Sequence, residues 1–348
     1  YLREMKNLKQ LGEFGLIKHI SSKLNTYSKR IKKGIGDDCA VFSTLSNTSQ
    51  LISTDALIES IHFDLKTITP KQLGFKAMSV NISDIAAMGG TPYLAVISLG
   101  LPKTTSIKFS DKLYSGIKKS CDLYNIQLVG GDTIASPKHL FINICLLGEA
   151  AKNRVFYRKG AQPGDQIFVT GNLGDSAMGL KLLRSRNKNF VQKKHIDSLV
   201  KKHLEPIPRI NEACLLAKSD IKITSMIDLS DGLKQDLGHL CTTEKIGATL
   251  YEKNLPFSEA LRNACLKEKH DPINWLLQGG EDYELLFTIT PRDVNKLNRL
   301  FTKTDTPLSH IGEITNTPKK IQLKKKNGKT VFLNTTKGFD HFKPNKRN

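Results

Sequence analysis

Six stretches of this chain set carboxylates among apolar residues and glycines with no Lys or Arg inside them: GIGDDCAVF (34–42), LISTDALIESIHF (51–63), VNISDIAAMGG (80–90), LVGGDTIAS (128–136), MIDLSDGL (226–233) and GGEDYELLF (279–287). Burying a carboxylate is expensive unless it is paired, strongly hydrogen-bonded or bound to a metal. No basic residue inside GIGDDCAVF offers Asp37 and Asp38 an obvious counter-ion, although the chain carries a formal net charge of +20. Whatever fold buries these segments has to supply a partner, and a divalent cation shared by several of them is the natural one.

The segments between the acidic stretches set the fold class. CAVFST, QLISTDALI, YLAVISLGL, IQLVGGDTI and LFINICLLGEA are rich in Val, Ile, Leu and Phe and are bounded by Gly, Pro, Ser or Asp, as strands are. PKQLGFKAMSVNISDIAAMGG opens on Pro70 and stops at Gly89 and Gly90, and SIKFSDKLYSGIKKSCDLYN has helical apolar spacing. A polar stretch, AAKNRVFYRKGAQPGD, marks a boundary, after which the pattern restarts with QIFVTG, a helix from Asp175, TSMIDLS, a helix from Gly232 and YELLFTIT. IQLKKKNGKTVFL reads as a hairpin with a type I′ turn at Asn327-Gly328. The expectation is an α/β (α+β) chain of two domains, 1–150 and 151–348, in line with its 348 residues.

Composition excludes several classes. No apolar run approaches a membrane span and no signal-peptide pattern opens the sequence, so the chain reads as cytoplasmic. The six cysteines are dispersed without a C-x-x-C, and H-E-x-x-H is absent, which argues for reduced thiols and against zinc. The positive charge is mostly Lys spread in short clusters rather than Arg with aromatic platforms, so no nucleic-acid partner is expected.

Taken singly, each Asp reads as a helix N-cap or an Asx turn, and Asp175 in GNLGDSAMGL as a cap alone. Six stretches of one composition at the ends of strands and helices point instead to a polyvalent metal and phosphate site. Carboxylates with hydroxyls from Ser53, Thr54 and Ser230 are hard oxygen ligands that suit Mg²⁺. Adjacent strand residues face opposite ways, so only one of Asp37 and Asp38 is expected to be a ligand and the other a turn residue. Asn81 and Asp84 share a helix face. The Walker pattern fails because Leu323 stands where its first Gly would be, and the protein-kinase set is missing. ATP would be held by metals and by a glycine-backed loop such as Gly130-Gly131-Asp132.

GIGDDCAVF, STDALIESIHF, KAMSVNISDIAAMGGTP, LVGGDTIAS, YRKGAQPGDQIFVTGNLGDSAMGL, IDLSDGL and GGEDYELLFT, in this order, closely resemble the thiamine-monophosphate kinase family of the aminoimidazole-ribonucleotide synthetase superfamily. The resemblance runs from about Gly12 to Phe342. It implies a homodimer whose N-terminal sheets pair into a barrel, with ATP as co-substrate, thiamine monophosphate as acceptor and several Mg²⁺ ions. Carried over by motif, the metal ligands would be Asp38, Ser53, Thr54, Asp55, Asp84, Asp132, Asp228 and Asp231. Of these, Asp55, Asp84, Asp132 and Asp228 would carry the catalysis.

Gly131, Asp132, Arg158 and Ser230 would contact ATP, and His62, Glu281 and Phe339 would lie on the thiamine side. Two positions depart from the family pattern: Phe339 replaces the usual Trp or Tyr, and Ser60 stands where a Gly is common. Other superfamily acceptors fit less well. No Cys followed by a nearby Lys precedes GIGDD, and no cysteine lies at the extreme C-terminus, against selenophosphate synthetase and hydrogenase-maturation proteins.

Overall fold

Period-two alternation builds the first sheet. The computed structural model describes residues 12–22, 28–44, 47–185, 191–268, 270–318, 320–333 and 341–342. Strands β1 (Ile31–Lys33), β2 (Ala40–Ser43), β3 (Thr48–Ile58), β4 (Thr91–Pro102), β5 (Gln127–Ser136) and β6 (Phe141–Ala151) assemble in the order β1-β2-β3-β6-β4-β5. β3 and β6 pair antiparallel along their whole length, from Thr48 opposite Ala151 to Ile58 opposite Phe141. Only β4 and β5 run parallel in this sheet, and neither edge strand closes it into a barrel. Leu51 and Leu57 of β3 and Ile142, Ile144 and Leu146 of β6 are buried on one face.

That face is covered by two helices. After α1 (Glu13–Ser21), α2 (Pro70–Ala87) begins with a capping box in which Thr69 and Gln72 exchange side-chain-to-backbone bonds and Pro70 takes the first turn. α3 (Ile107–Tyr124) starts at the Ser106 cap and ends at Asn125 in the left-handed conformation. Burial extends all round α2, because the second half of the molecule packs on its other side.

There, β7 (Gln166–Thr170), β8 (Ile223–Asp228), β9 (Gly247–Tyr251), β10 (Leu285–Ile289), β11 (Leu308–Thr315), β12 (Ile321–Lys324) and β13 (Thr330–Leu333) form a sheet ordered β13-β12-β9-β11-β7-β10-β8. Alternation splits its residues between two cores. Phe168, Met226, Leu285 and Phe287 join the core with α2 and the first sheet, whereas Ile167, Val169, Ile227 and Leu286 join a second core beneath α7 (Leu233–Glu244).

The expected strands and helices of the acidic stretches are present, with β1, β9 and β11 as additional strands. All six cysteines are free thiols. Two local expectations are corrected. The β12–β13 connection is a hairpin, but only Gly328 takes a positive φ, +82°, while Asn327 does not. The Gly328 amide donates to the Lys325 carbonyl and the Lys325 amide to the Lys329 carbonyl, the pattern of a three-residue loop with a glycine bulge rather than type I′. Asp175 is the first residue of α4 (Asp175–Arg184), with Gly174 as the cap, and its buried carboxylate accepts from Ser258.

The α2–α3 crossing depends on two glycines. A Cβ on Gly74 would meet the Leu113 carbonyl oxygen at 2.1 Å, and one on Gly116 the Lys71 carbonyl oxygen at 1.9 Å. In an exposed helix, replacing Gly by Ala stabilises by about 1 kcal/mol. Here the added methyl meets backbone, so Gly74→Ala is expected to destabilise by about 1–3 kcal/mol, the cost of overpacking. Thermal or urea unfolding checks the sign, and a stabilised variant would contradict this packing.

Candidate metal and phosphate site

Four of the six acidic stretches converge where α2 lies between the sheets. Asp38 follows the Gly36 turn, Asp55 lies on β3, Asp84 near the end of α2 and Asp228 at the end of β8. Asp38, Asp84 and Asp228 each bring a carboxylate oxygen within 4.8 Å of the others. Asp55 is hydrogen-bonded to Asp84, and its amide donates to the Asn81 side chain at 3.0 Å. Ser53 donates to Asp84, and Ser83 donates to Asp228 at 2.6 Å.

The counter-ion of Asp38 comes from afar. Arg158, 120 residues along the chain, forks both oxygens of Asp38 through Nε and Nη2. Asp37 accepts from the Arg158 amide at 3.1 Å and lies 3.4 Å from Lys33 Nζ, so it is the turn residue and Asp38 the cluster member. The expectation that this pair lacks cations is thereby corrected. One guanidinium still serves a cluster of four carboxylates, and burial and mutual repulsion act on the rest.

Burial, then Asp38, pushes the Asp55 carboxyl up to about 6. Burial, then Asp38, pushes Asp228 up to about 7, against the lowering effect of Ser83 and Arg158. Asp84 is held well above the usual carboxylate range by burial and then by Asp55, Asp228 and Asp38. An all-oxygen, mutually repelling donor set of this kind fits Mg²⁺, which tolerates waters and phosphate oxygens as its remaining ligands.

Other expected residues fall elsewhere. Thr54 does not share the face of Ser53 and Asp55: strand alternation turns its hydroxyl to the opposite side of the sheet, where it donates to the Ile144 carbonyl at 3.0 Å. Asp132 is exposed on edge strand β5, in register with Ser98 on β4, three strands from β3 and hence about 14 Å away. Gly131 has a packing reason of its own, since a Cβ there would meet the Ile97 carbonyl oxygen at 1.8 Å.

Asp231 lies beside the cluster, accepts from Gln235 at 2.7 Å and is pushed up to about 6 by burial and then by Glu13. Ser230 is exposed, and its carbonyl accepts from the Glu281 amide. His62 accepts from the Ile58 amide at 3.0 Å and sits 5.0 Å from the His341 ring; burial lowers its pKa. Ser60 adopts φ +69°, the left-handed region that glycine takes without penalty. Phe339 lies outside the described residues.

The sixth stretch is not a metal station. Glu281 contacts Lys76 and His203, while Asp282 accepts from the Gly174 amide at 2.6 Å and the Ser176 amide at 3.3 Å at the start of α4. The fully buried Glu284 accepts from Arg209, from Lys202 at 2.6 Å and from Thr170 at 2.8 Å. Sequence reasoning missed Ser83, Lys33, Lys76 and His203. Only the seven-residue spacing of Lys76 and Ser83, which puts both on one side of α2, could have signalled any of them.

Against known proteins, a family model described as AIR synthase related protein, N-terminal domain, matches residues 36–150, and the corresponding C-terminal domain matches residues 162–324. The chain is 38% identical over 337 residues to thiamine-monophosphate kinase of Buchnera aphidicola subsp. Schizaphis graminum, covering 96% of this chain and 99% of the relative. It is 39% identical over 315 residues to thiamine-monophosphate kinase of Buchnera aphidicola subsp. Acyrthosiphon pisum, covering 89% and 92%. Among solved structures, AaThiL complexed with AMPPCP and TMP superposes with a TM-score of 0.83 at 35% identity, covering 97% of this chain and 99% of that one.

The electrostatics predict a pH dependence for metal-free protein. Asp55 and Asp228 titrate higher folded, at about 6 and about 7, than at the reference value of 3.8. Carboxyls with raised pKa bind protons more tightly in the folded state, so their contribution is full below the unfolded pKa and is lost as pH rises through the folded values. EDTA-treated protein should lose stability between about pH 4 and pH 7 and level off above, and Mg²⁺ should suppress that loss. Thermal melts across pH with and without Mg²⁺ check it. A melting temperature that ignores Mg²⁺ at pH 8 would contradict the metal site.

Proposed function

We infer that this chain, which belongs to the AIR synthase related protein family, transfers the γ-phosphoryl group of ATP to thiamine monophosphate, giving ADP and thiamine diphosphate. The observation that carries the reading is the convergence of Asp38, Asp55, Asp84 and Asp228 in a chain whose relatives along nearly its whole length are thiamine-monophosphate kinases. No helix of the described residues is long and apolar enough to cross a membrane, and we place the reaction in the cytoplasm.

The acceptor is itself an anion. A phosphate monoester has a second pKa of about 6, so at neutral pH it is largely dianionic and attacks without a strong general base. The difficulty is repulsion between two phosphates. Mg²⁺ held by Asp38, Asp55, Asp84 and Asp228, with Asp231 beside them, would neutralise charge on the transferring group. Arg158 would supply a second cation, its guanidinium turning from Asp38 to an ATP phosphate, and Ser230 is assigned to the same nucleotide. His62, Glu281 and Phe339 are assigned to the thiamine side. The N-terminal part, 1–150, carries most of the metal site and the remainder completes it through Arg158 and Asp228.

Asp132 and Gly131 enter through assembly. β5 is an edge strand whose residues are almost all exposed, with Val129 58% and Ile134 57% accessible, and an apolar edge of this length invites pairing. We assign β5 to a homodimer interface that would bring Asp132 of each chain to an ATP site. The wild-type chain should elute as a dimer in size-exclusion chromatography, and Val129→Asp with Ile134→Asp should give an inactive monomer. A wild-type monomer with full activity would remove this role.

ADP release with ATP and Mg²⁺ should depend on thiamine monophosphate, stop with EDTA and fail with thiamine. ATP binding without turnover would send the search to another acceptor. Asp55→Asn should fold normally and lower turnover by at least about 100-fold. Direct transfer leaves no phosphorylated protein when labelled ATP is supplied without acceptor, and acid-stable label on the chain would contradict it.

A further inference from the structure

Lys76 lies inside α2 and is only 1% exposed. A buried ammonium needs a partner, and its Nζ is 3.1 Å from Glu281 Oε1. The other Glu281 oxygen is 3.2 Å from His203 Nδ1, and that nitrogen is also 3.0 Å from Ser176 Oγ. Both carboxylate oxygens are therefore fixed, yet the Glu281 side chain remains 29% exposed. Its backbone is equally constrained: φ is +63°, and its amide donates to the Ser230 carbonyl at 2.7 Å. A left-handed glutamate costs on the order of 1–3 kcal/mol and persists where surrounding contacts determine it, as here.

The position relative to the metal cluster gives this arrangement a use. Lys76 and Ser83 are seven residues apart on one side of α2, about 10 Å along its axis, and Ser83 donates to Asp228. The open face of Glu281 thus lies about one small molecule's length from the carboxylate cluster. His62 stands near enough to sense the charges of both Glu281 and Lys76. Thiamine monophosphate has this shape of charge, a phosphate at one end and a permanently cationic thiazolium ring behind it.

We propose that Lys76 and His203 are positioning residues for the acceptor, holding the Glu281 carboxylate turned so that its exposed face meets the acceptor's cationic ring while the acceptor's phosphate lies at the carboxylate cluster. This deepens the kinase reading and rests on it. A simple structural ion pair would contribute to stability without distinguishing one substrate from the other.

Steady-state kinetics of the full chain with ATP, Mg²⁺ and thiamine monophosphate separate the two. Lys76→Met should raise the acceptor KM on the order of ten- to a hundredfold, the worth of a charged hydrogen bond, and leave the ATP KM within about twofold. Glu281→Gln should show the same split, and the double variant should be no worse than Glu281→Gln alone. Parallel rises in both KM values, or additive losses in the double variant, would overturn the positioning role. If Lys76→Met does not fold, His203→Asn tests the other oxygen: a raised acceptor KM alone supports the proposal, and an unchanged one overturns it. Wild-type turnover is read first, since its absence removes the kinase reading and the positioning role with it, whereas turnover without the KM split removes the positioning role alone.

Discussion

Repulsion among buried carboxylates is the constraint around which this molecule is arranged. Asp38, Asp55, Asp84 and Asp228 come from a turn, a strand, a helix and the end of a strand in the other sheet; Asp38 is forked by Arg158, and the other three are raised by burial and then by one another and Asp38. Holding them together falls to α2, which is buried on all sides and bonds outward through Asn81, Ser83 and Lys76 to three different segments. Buried polar groups on a central helix must be satisfied, and here the groups that satisfy them are Asp55, Asp228 and Glu281 of the proposed site. The helix therefore acts as the common ruler for the metal side and for the Glu281 side.

The six acidic stretches look alike in sequence but receive different chemistry. Four supply the cluster. The fourth along the chain, around Asp132, stays on an exposed edge, and the sixth distributes its three carboxylates among Lys76 and His203, the start of α4, and an Arg209–Lys202 pair. Glu284 is the structural member of that set: with its oxygens occupied by two cations and a hydroxyl, it ties β10 to α5 (Lys193–Leu204) and to Arg209 before α6 (Ile210–Lys218). Its pKa falls, despite burial, through Lys202 and Arg209. Asp55, Asp84 and Asp228 move the opposite way, because burial and then the neighbouring carboxylates outweigh what hydrogen bonds and one guanidinium return.

This arrangement costs the metal-free chain stability and concentrates that cost where function needs it. Left-handed Ser60, Glu281 and Tyr283 lie in the two loops that flank the site, Ser60 beside His62 and the other two in the GGEDYE turn. Strain of this kind survives only where neighbouring contacts overrule it. Elsewhere the chain follows local rules closely, with a capping box on α2, a Ser cap on α3 and alternating burial along β3 and β6.

The sequence by itself determined the strands and helices that carry the acidic stretches, because alternation, caps and breakers act over a few residues, while β1, β9 and β11 showed only in the structure. It also determined the oxygen-rich character of the site, because stretches that hold carboxylates and no Lys or Arg are visible as such, and the family, because the motifs recur in order. It could not decide which carboxylates meet. Thr54 was separated from Ser53 by the alternation of one strand, and Asp132 was set apart by a sheet order that places β5 at the edge. The cations for Asp38 and Glu281 came from Arg158 and Lys76, 120 and 205 residues away. Counter-ions chosen across such separations follow from how two sheets close on one helix. That is a property of packing, and no local pattern carries it.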